Sequence, residues 1–442
     1  MIVTLLLAAG FGLCVLAQRR SWAPSMGAAL ATGVALRGAV WGIAAAQSWQ
    51  PYDFKYDFPA AAVAVLHHHD PMLFGRARGW PFLPTMAYVL AGEFKLGQLT
   101  HLPWALTGRL TPVLADVALI VLVGRLAGKR APLRRFQYAC NPLAILVCAI
   151  HGQLEPEVLA LGAAALVVAR SSRRGAGAGA LLGLSVAIGS WSVLLAPGVL
   201  VSLPDWRQRL RAVGATIAVP MAFLLTAPLG VGTPIGRLPD VVRGLLGVRP
   251  VVGTWGWTST VTHGTLELLP TVGRIGTVLL IVALLMAGYL WRRADPIDLT
   301  GALLLTFLLV SPRVGAQYLT WPIPFLIARP TRYTTPALGV AAAWATFGYL
   351  YLGRHFTWVH DGGWYLASWC VIPMLVLALP WASRGSVAEG VQPSEATDVM
   401  KVTHDDEGSS VAEDGRQTDS SAAEATEGQG DQTVAEPAHG PG

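Results

Sequence analysis

Four places in the sequence gather side chains that could do chemistry, and each is flanked by apolar runs. The first is Pro51-Tyr52-Asp53-Phe54-Lys55-Tyr56-Asp57-Phe58, with two carboxylates and one cation among four aromatic rings. A carboxylate held there could act as a general base, with Asp53 or Asp57 accepting a proton from a substrate hydroxyl. The plainer alternative is a solvated loop. The second is His151-Gly152-Gln153-Leu154-Glu155-Pro156-Glu157, ten residues after Asn141-Pro142. Polar groups of this kind beside hydrocarbon are expensive, which marks them as functional candidates. The third is Arg313-Val314-Gly315-Ala316-Gln317-Tyr318-Leu319-Thr320-Trp321-Pro322. The guanidinium fork of Arg313 suits a phosphate, and Gln317, Tyr318 and Trp321 suit a sugar; an interfacial aromatic belt is the alternative. The fourth holds Arg249-Pro250 with Trp255-Gly256-Trp257, whose rings could stack on a sugar face or equally anchor the interface.

Elements that could position these groups follow from composition. Of 442 residues, 53% are hydrophobic and 13% charged, about half the charged fraction of an average soluble domain. Mean hydropathy is +0.50. An ordinary soluble protein is excluded, and an all-α polytopic membrane fold is indicated. Thirteen candidate spans can be drawn, with about 11–13 expected: 2–17, 24–46, 106–127, 137–151, 155–170, 177–189, 191–203, 212–228, 271–291, 298–312, 317–328, 334–352 and 366–383. Alternation puts Arg19-Arg20, Lys129 to Arg135, Arg170 to Arg174, Arg207 to Arg211, Arg292-Arg293, Arg329 with Arg332, and Arg384 on one side. By the positive-inside rule that side is the cytoplasm, leaving the N-terminus outside. All four chemical clusters then share the outer face.

Residues 1–385 form the expected membrane domain, with long outer loops at 47–105 and 229–270. Stretches 58–66 and 82–92 of the first loop read as interfacial helices. Residues 386–442 carry 13 Asp/Glu against Lys401 and Arg416, and read as a disordered acidic cytoplasmic tail that could recruit a basic partner. The basic remainder is explained by membrane orientation, so nucleic acid is not an expected partner. Within the spans, Arg37 and Asp116 are expected to pair. His67-His68-His69 do not share one helix face and make a poor metal site, and Asp70-Pro71 reads as a turn. The four cysteines (Cys14, Cys140, Cys148 and Cys370) form no CxxC. No phosphate loop, Gly-x-Ser-x-Gly or His-Glu-x-x-His occurs. No metal or cofactor is expected, and no internal repeat suggests a transporter of duplicated halves.

Taken in order, the motifs resemble the GT-C superfamily of integral-membrane glycosyltransferases, particularly its bacterial mannosyltransferase-like members. The residues that carry the likeness are Asp53-Phe54; Asp70-Pro71; Arg109, Pro112 and Asp116; Asn141-Pro142; and His151-Gly152-Gln153-x-Glu155. Trp255-Gly256-Trp257 and Gln317-Tyr318-x-x-Trp321-x-x-Pro324 complete the series, over roughly residues 24–385. The resemblance implies transfer of a sugar from a polyprenyl-phosphate donor to a lipid-linked or cell-envelope glycan, with inversion. It makes Asp53 the base and Asp57 the second choice. Tyr56, Asp70, His151, Gln153, Glu155, Arg249, Trp255, Trp257, Arg313, Gln317, Tyr318 and Trp321 are then candidate donor or acceptor contacts. Two departures stand out. Glu155 replaces the family's usual Asp, and the family's Lys near Ile188-Gly189-Ser190-Trp191 is absent, which leaves the phosphate to Arg313 or Arg249. A transporter, a lipid flippase or an inactive scaffold is the rival expectation.

Overall fold

The computed structural model describes residues 1–47, 49–71, 82–247, 255–262, 265–353 and 362–384. Arg249 and the tail at 386–442 lie outside this set. The described residues contain no β-strands. Helices α1 (Ile2–Arg19) and α2 (Met26–Ala45) open the chain. The first long loop folds into α3 (Phe58–Leu66) and α4 (Pro84–Thr100). Next come α5 (Trp104–Thr107), α6 (Leu110–Ala127), α7 (Ala131–Ala139), α8 (Pro142–Ile145), α9 (Glu155–Ser171), α10 (Gly175–Ile188), α11 (Ala196–Ser202) and α12 (Trp206–Gly230). In the second loop are α13 (Leu238–Gly247) and α14 (Gly256–Thr262). The chain continues through α15 (Leu269–Leu290), α16 (Pro296–Val310), α17 (Ile323–Ala328), α18 (Thr334–Phe347), α19 (Gly362–Ala367) and α20 (Ile372–Ala378).

Helix starts follow from local chemistry. Ser25, Asn141 and Asp205 cap α2, α8 and α12 by accepting backbone N–H groups at 3.1, 3.1 and 2.8 Å. Asp295 does the same for α16, with Pro296 at its first position. Every candidate span falls on a helical segment, but their lengths differ. Five apolar stretches are long enough to cross a membrane: Ile2–Arg19, Met26–Ala45, Trp104–Ala139, Trp206–Gly230 and Leu269–Leu290. At 1.5 Å per residue the 25 residues of α12 extend about 38 Å, beyond a hydrocarbon core of roughly 30 Å. Others are shorter because the sequence interrupts them. Asn141-Pro142 divides α7 from α8, Pro322 immediately precedes α17, and Pro197 and Pro373 are the second residues of α11 and α20.

Burial sorts the helices by role. Most of α15 is exposed, including Ile275, Val278, Ile281, Val282 and Leu285. Such an apolar outer surface belongs in lipid. By contrast, residues 142–151 are buried throughout, and α16 and α17 are nearly so. This interior is the scaffold of the site. Glycines permit close packing of α10 on α12. A Cβ at Gly175 or Gly179 would overlap the carbonyl oxygen of Gln208 or of Ala212.

Arg37 and Asp116 pair as expected, fully inside the bundle. Arg37 Nε donates to Asp116 Oδ2 at 2.6 Å, while its Nη1 donates to the carbonyls of Gly33 and Ala139. Tyr138 donates to Asp116 Oδ1 at 2.6 Å. The pair thereby ties α2, α6 and α7 together.

Candidate functional site

Three π-helical turns converge on one polar cluster. They span Asp53–Asp57, Leu146–His151 and Gly348–Leu352. Each closes with a backbone bond five residues back: Phe58 to Asp53, Gly152 to Val147, and Gly353 to Gly348. A π turn widens the helix and re-aims the side chains it carries. Here the three turns carry Asp53, His151 and Tyr349.

The Asp53 carboxylate accepts from His151 Nε2 at 3.0 Å, from Gln153 Nε2, and from the Phe54 N–H at 3.0 Å. Because a carboxylate only accepts, Nε2 of His151 carries a proton. On the other side of the ring, the Tyr349 hydroxyl lies 2.6 Å from His151 Nδ1. Asp53 is 31% exposed at its side chain, so it is oriented by the protein yet open to a substrate. Burial works against its charge. The charge of His151 and the hydrogen bonds from His151 and Phe54 outweigh burial and hold the carboxyl below its ordinary range.

Buried Arg109 locks the loop to the bundle. Its guanidinium donates to Gln50 Oε1, Ala105 O and Ile150 O, and lies 3.8 Å over the Phe54 ring. Trp104 stacks on Phe54 and donates to its carbonyl at 2.8 Å. Gly152 has φ of +68°, and a Cβ there would stand 2.6 Å from the Phe54 ring. Only glycine fits without strain. Phe54 and Phe58 continue into a small apolar core with Met86, Leu90, Leu154 and Val158, which seats α3 and α4 against α9.

Beside the cluster, Trp321 stacks on Trp191 at 3.7 Å with 6° between the planes, and on Tyr318 at 4.3 Å. Buried Glu155 lies against Trp321 and interacts electrostatically with His151 and Asp53. Further along α9, Glu157 accepts from the Thr111 hydroxyl, while the Thr111 N–H donates to Glu93. One oxygen of each of Glu93, Glu155 and Glu157 is buried without a hydrogen bond.

No protein-family model and no curated protein matches this chain. Geometry therefore carries the functional assignment.

Of the candidates read from sequence, Asp53, His151, Gln153 and Glu155 come together, with Tyr318 and Trp321 adjoining. Asp57 and Tyr56 share the Asp53 turn, and the Lys55 ammonium lies 5.1 Å from the Tyr56 ring centre. Gln317 folds back over Gly315. Arg313 sits in the turn before it, its backbone N–H bonded to the Ser311 hydroxyl. Asp70 has a different place: it is buried and accepts from Thr233, fastening the segment after α3 to the turn after α12. Trp255 and Trp257 are also structural. Their indoles donate to the Leu308 and Val310 carbonyls at the end of α16, and Trp255 is packed edge-on to Trp344 in the core. Among the described residues, no group of three or more His, Cys, Asp or Glu could hold a metal.

Tyr349, Trp191, Trp104 and Glu93 do not stand out in the sequence. Tyr349 carries the only usable signal, a phenol at the outer end of the span at 334–352. An interfacial aromatic belt explains that position equally well.

Proposed function

We propose that the chain is a membrane glycosyltransferase that moves a sugar, most simply mannose, from a polyprenyl-phosphate donor to a glycan or glycolipid acceptor. One observation carries this reading. Asp53 is a partly exposed carboxylate, kept ionised by His151 and fixed in direction by Gln153 and the Phe54 N–H. Those are the properties of a general base that must act beside a lipid phase. In the proposed step, the acceptor hydroxyl attacks the anomeric carbon and Asp53 takes its proton. The carbon–oxygen bond to phosphate breaks, and both electrons leave with the phosphate. The new bond forms on the face opposite the old one, which inverts the sugar. The Trp191–Trp321–Tyr318 stack supplies ring faces of the kind that sugars pack against.

The test is transfer of labelled mannose from polyprenyl-phosphate mannose by the full chain in nanodiscs, with Asp53→Asn in parallel. Loss of a general base lowers the rate ~100-fold or more. Transfer that survives the substitution would move the base to another group, with Asp57 tested next. No transfer by well-folded wild type would remove the support for this donor.

A proton-coupled transporter is the second reading. It is favoured by the Glu93–Thr111–Glu157 chain, whose buried carboxyls pair with no cation among the described residues. Substrate-dependent proton uptake into liposomes, abolished by Glu157→Gln but not by Asp53→Asn, would select it.

A further inference from the structure

A second polar centre lies where α1, α7 and the start of α18 meet. Thr334 opens α18, and Tyr349 lies beyond its far end, about 22 Å along the axis at 1.5 Å per residue. The centre is therefore remote from Asp53. At its heart Arg134 is 3% exposed. Its Nη1 donates to Gln18 Oε1 at 2.8 Å and to Gln137 Oε1 at 2.6 Å. Its Nε is buried with no partner. Gln137 in turn donates to Gln18 at 3.1 Å, so the shell around the guanidinium is made of neutral amides. Among the described residues no carboxylate pairs with Arg134, and Arg130 adds a like charge nearby. The contrast with Arg37 is direct, because that buried guanidinium has Asp116. A buried cation without a counter-charge is unfavourable unless something supplies one.

Arg134 lines a cleft with about 30 Å³ of room for water-sized groups. That volume accommodates two or three such groups, enough for the terminal oxygens of a phosphate and not for the whole group. Asn141, Gln137, Thr334 and Thr335 supply the other polar lining, and no Asp or Glu lines it. Thr334 and Thr335 open the 14-residue helix α18, whose dipole favours a negative charge; the Thr334 N–H is bonded to the Thr331 carbonyl and Pro336 has none, which leaves the Thr335 N–H to an anion. The Thr334 hydroxyl already accepts from the Thr331 N–H. The Thr335 side chain is partly exposed and makes no hydrogen bond among the described residues. Arg19, Arg20, Arg130 and Arg332 stand within a few residues along the chain of Gln18, Arg134 and Thr334, and cations so placed concentrate anions.

We propose that this cleft binds a phosphate-type anion, with Arg134 and Thr335 as its ligands. The proposal is independent of the transferase reading. The anion is either free in solution or the headgroup of an anionic membrane lipid, since basic pockets between spans bind such heads.

Thermal unfolding of the full chain separates these sources. One arm adds inorganic phosphate, against chloride at equal ionic strength, in neutral detergent. The other compares nanodiscs of phosphatidylcholine with nanodiscs doped with phosphatidylglycerol. Wild type, Arg134→Gln and Thr335→Val are measured in both. At saturation, wild type is expected to rise by ~3 °C in one arm. That rise is expected to vanish in Arg134→Gln and to shrink in Thr335→Val. A rise with inorganic phosphate identifies a free anion, and a rise confined to phosphatidylglycerol identifies a lipid head. Should Arg134→Gln not fold, Thr335→Val decides, since it removes only a hydroxyl. No rise with either probe, or equal rises in wild type and Thr335→Val, overturns the proposal.

Discussion

Replacing His151 tests how the site keeps its base ready. His151 Nε2 lies 3.0 Å from Asp53 Oδ1. At an effective dielectric of 20, a full charge at that distance contributes about 5 kcal/mol. Asp53 is 31% exposed, so solvent screens much of this. A charge-assisted hydrogen bond of about 1.5–3 kcal/mol is the better measure. That range corresponds to about 1–2 pH units, at 1.36 kcal/mol each. In wild type the acid limb of kcat/KM should lie below the ordinary carboxylate range, because Asp53 is held there. His151→Gln keeps a donor and loses the charge; His151→Ala loses both. The acid limb should therefore climb in the order wild type, Gln, Ala, by about 1–2 pH units in total. A readout without substrate runs in parallel. A carboxyl with a lowered folded value stabilises the fold above the unfolded value of about 3.9 and loses that contribution as pH falls through the lowered value. In His151→Ala the folded value climbs towards the unfolded one, so this contribution should shrink and its loss should be complete at a higher pH. An acid limb that stays in place in His151→Ala would refute the idea that His151 sets the charge of the base.

Other substitutions test the scaffold. Asp116→Asn leaves the Arg37 charge buried and unpaired, and should lower unfolding stability in detergent by about 3–5 kcal/mol. A charge swap at the two positions should restore only part of this, because Arg37 also bonds the Gly33 and Ala139 carbonyls and a carboxylate cannot. Gly179→Ala drives a Cβ into the Ala212 carbonyl and should cost about 1–3 kcal/mol. Gly214→Ala, on the open side of α12, should be neutral or slightly stabilising, which the same unfolding assay would show. Gly152→Ala should lose most transfer activity, since the left-handed turn and the Phe54 contact both place His151 and Gln153.

Sequence and structure agree where one physical rule decides the outcome. Each span that hydropathy marked falls on a helical segment, since an apolar run in or beside a bilayer must satisfy its own backbone hydrogen bonds, whereas α13 and α14 of the second outer loop were not marked. Two lone charges, Arg37 and Asp116, foretold their pairing for the same reason. The grouping of Asp53 with His151 and Gln153 was legible only as a shared outer face, not as a contact. Tyr349 was hidden, as it stands 198 positions from the ring it bonds. Trp255 is ambiguous in sequence, because an indole in an outer loop fits sugar stacking and core packing equally well, and only the fold traces its N–H to Leu308. Asp70 is ambiguous in the same way, since its bond from Thr233 is visible only in the fold.

The π turns explain why no periodicity could have drawn the site. A helix of 3.6 residues per turn presents one stripe, and each extra residue in a π turn rotates the rest of the helix about its axis. From the turn at 146–151 the His151 ring reaches Asp53 on one side and Tyr349 on the other. The turn ends at Gly152, the left-handed residue on which Phe54 packs. Phe54 belongs to the π turn that begins at Asp53. The two turns are thus interlocked, and Arg109 bonds the ends of both through Gln50 and Ile150. Such a joint fixes the direction of a carboxylate that sits on a loop, which the proposed role of Asp53 as a base requires.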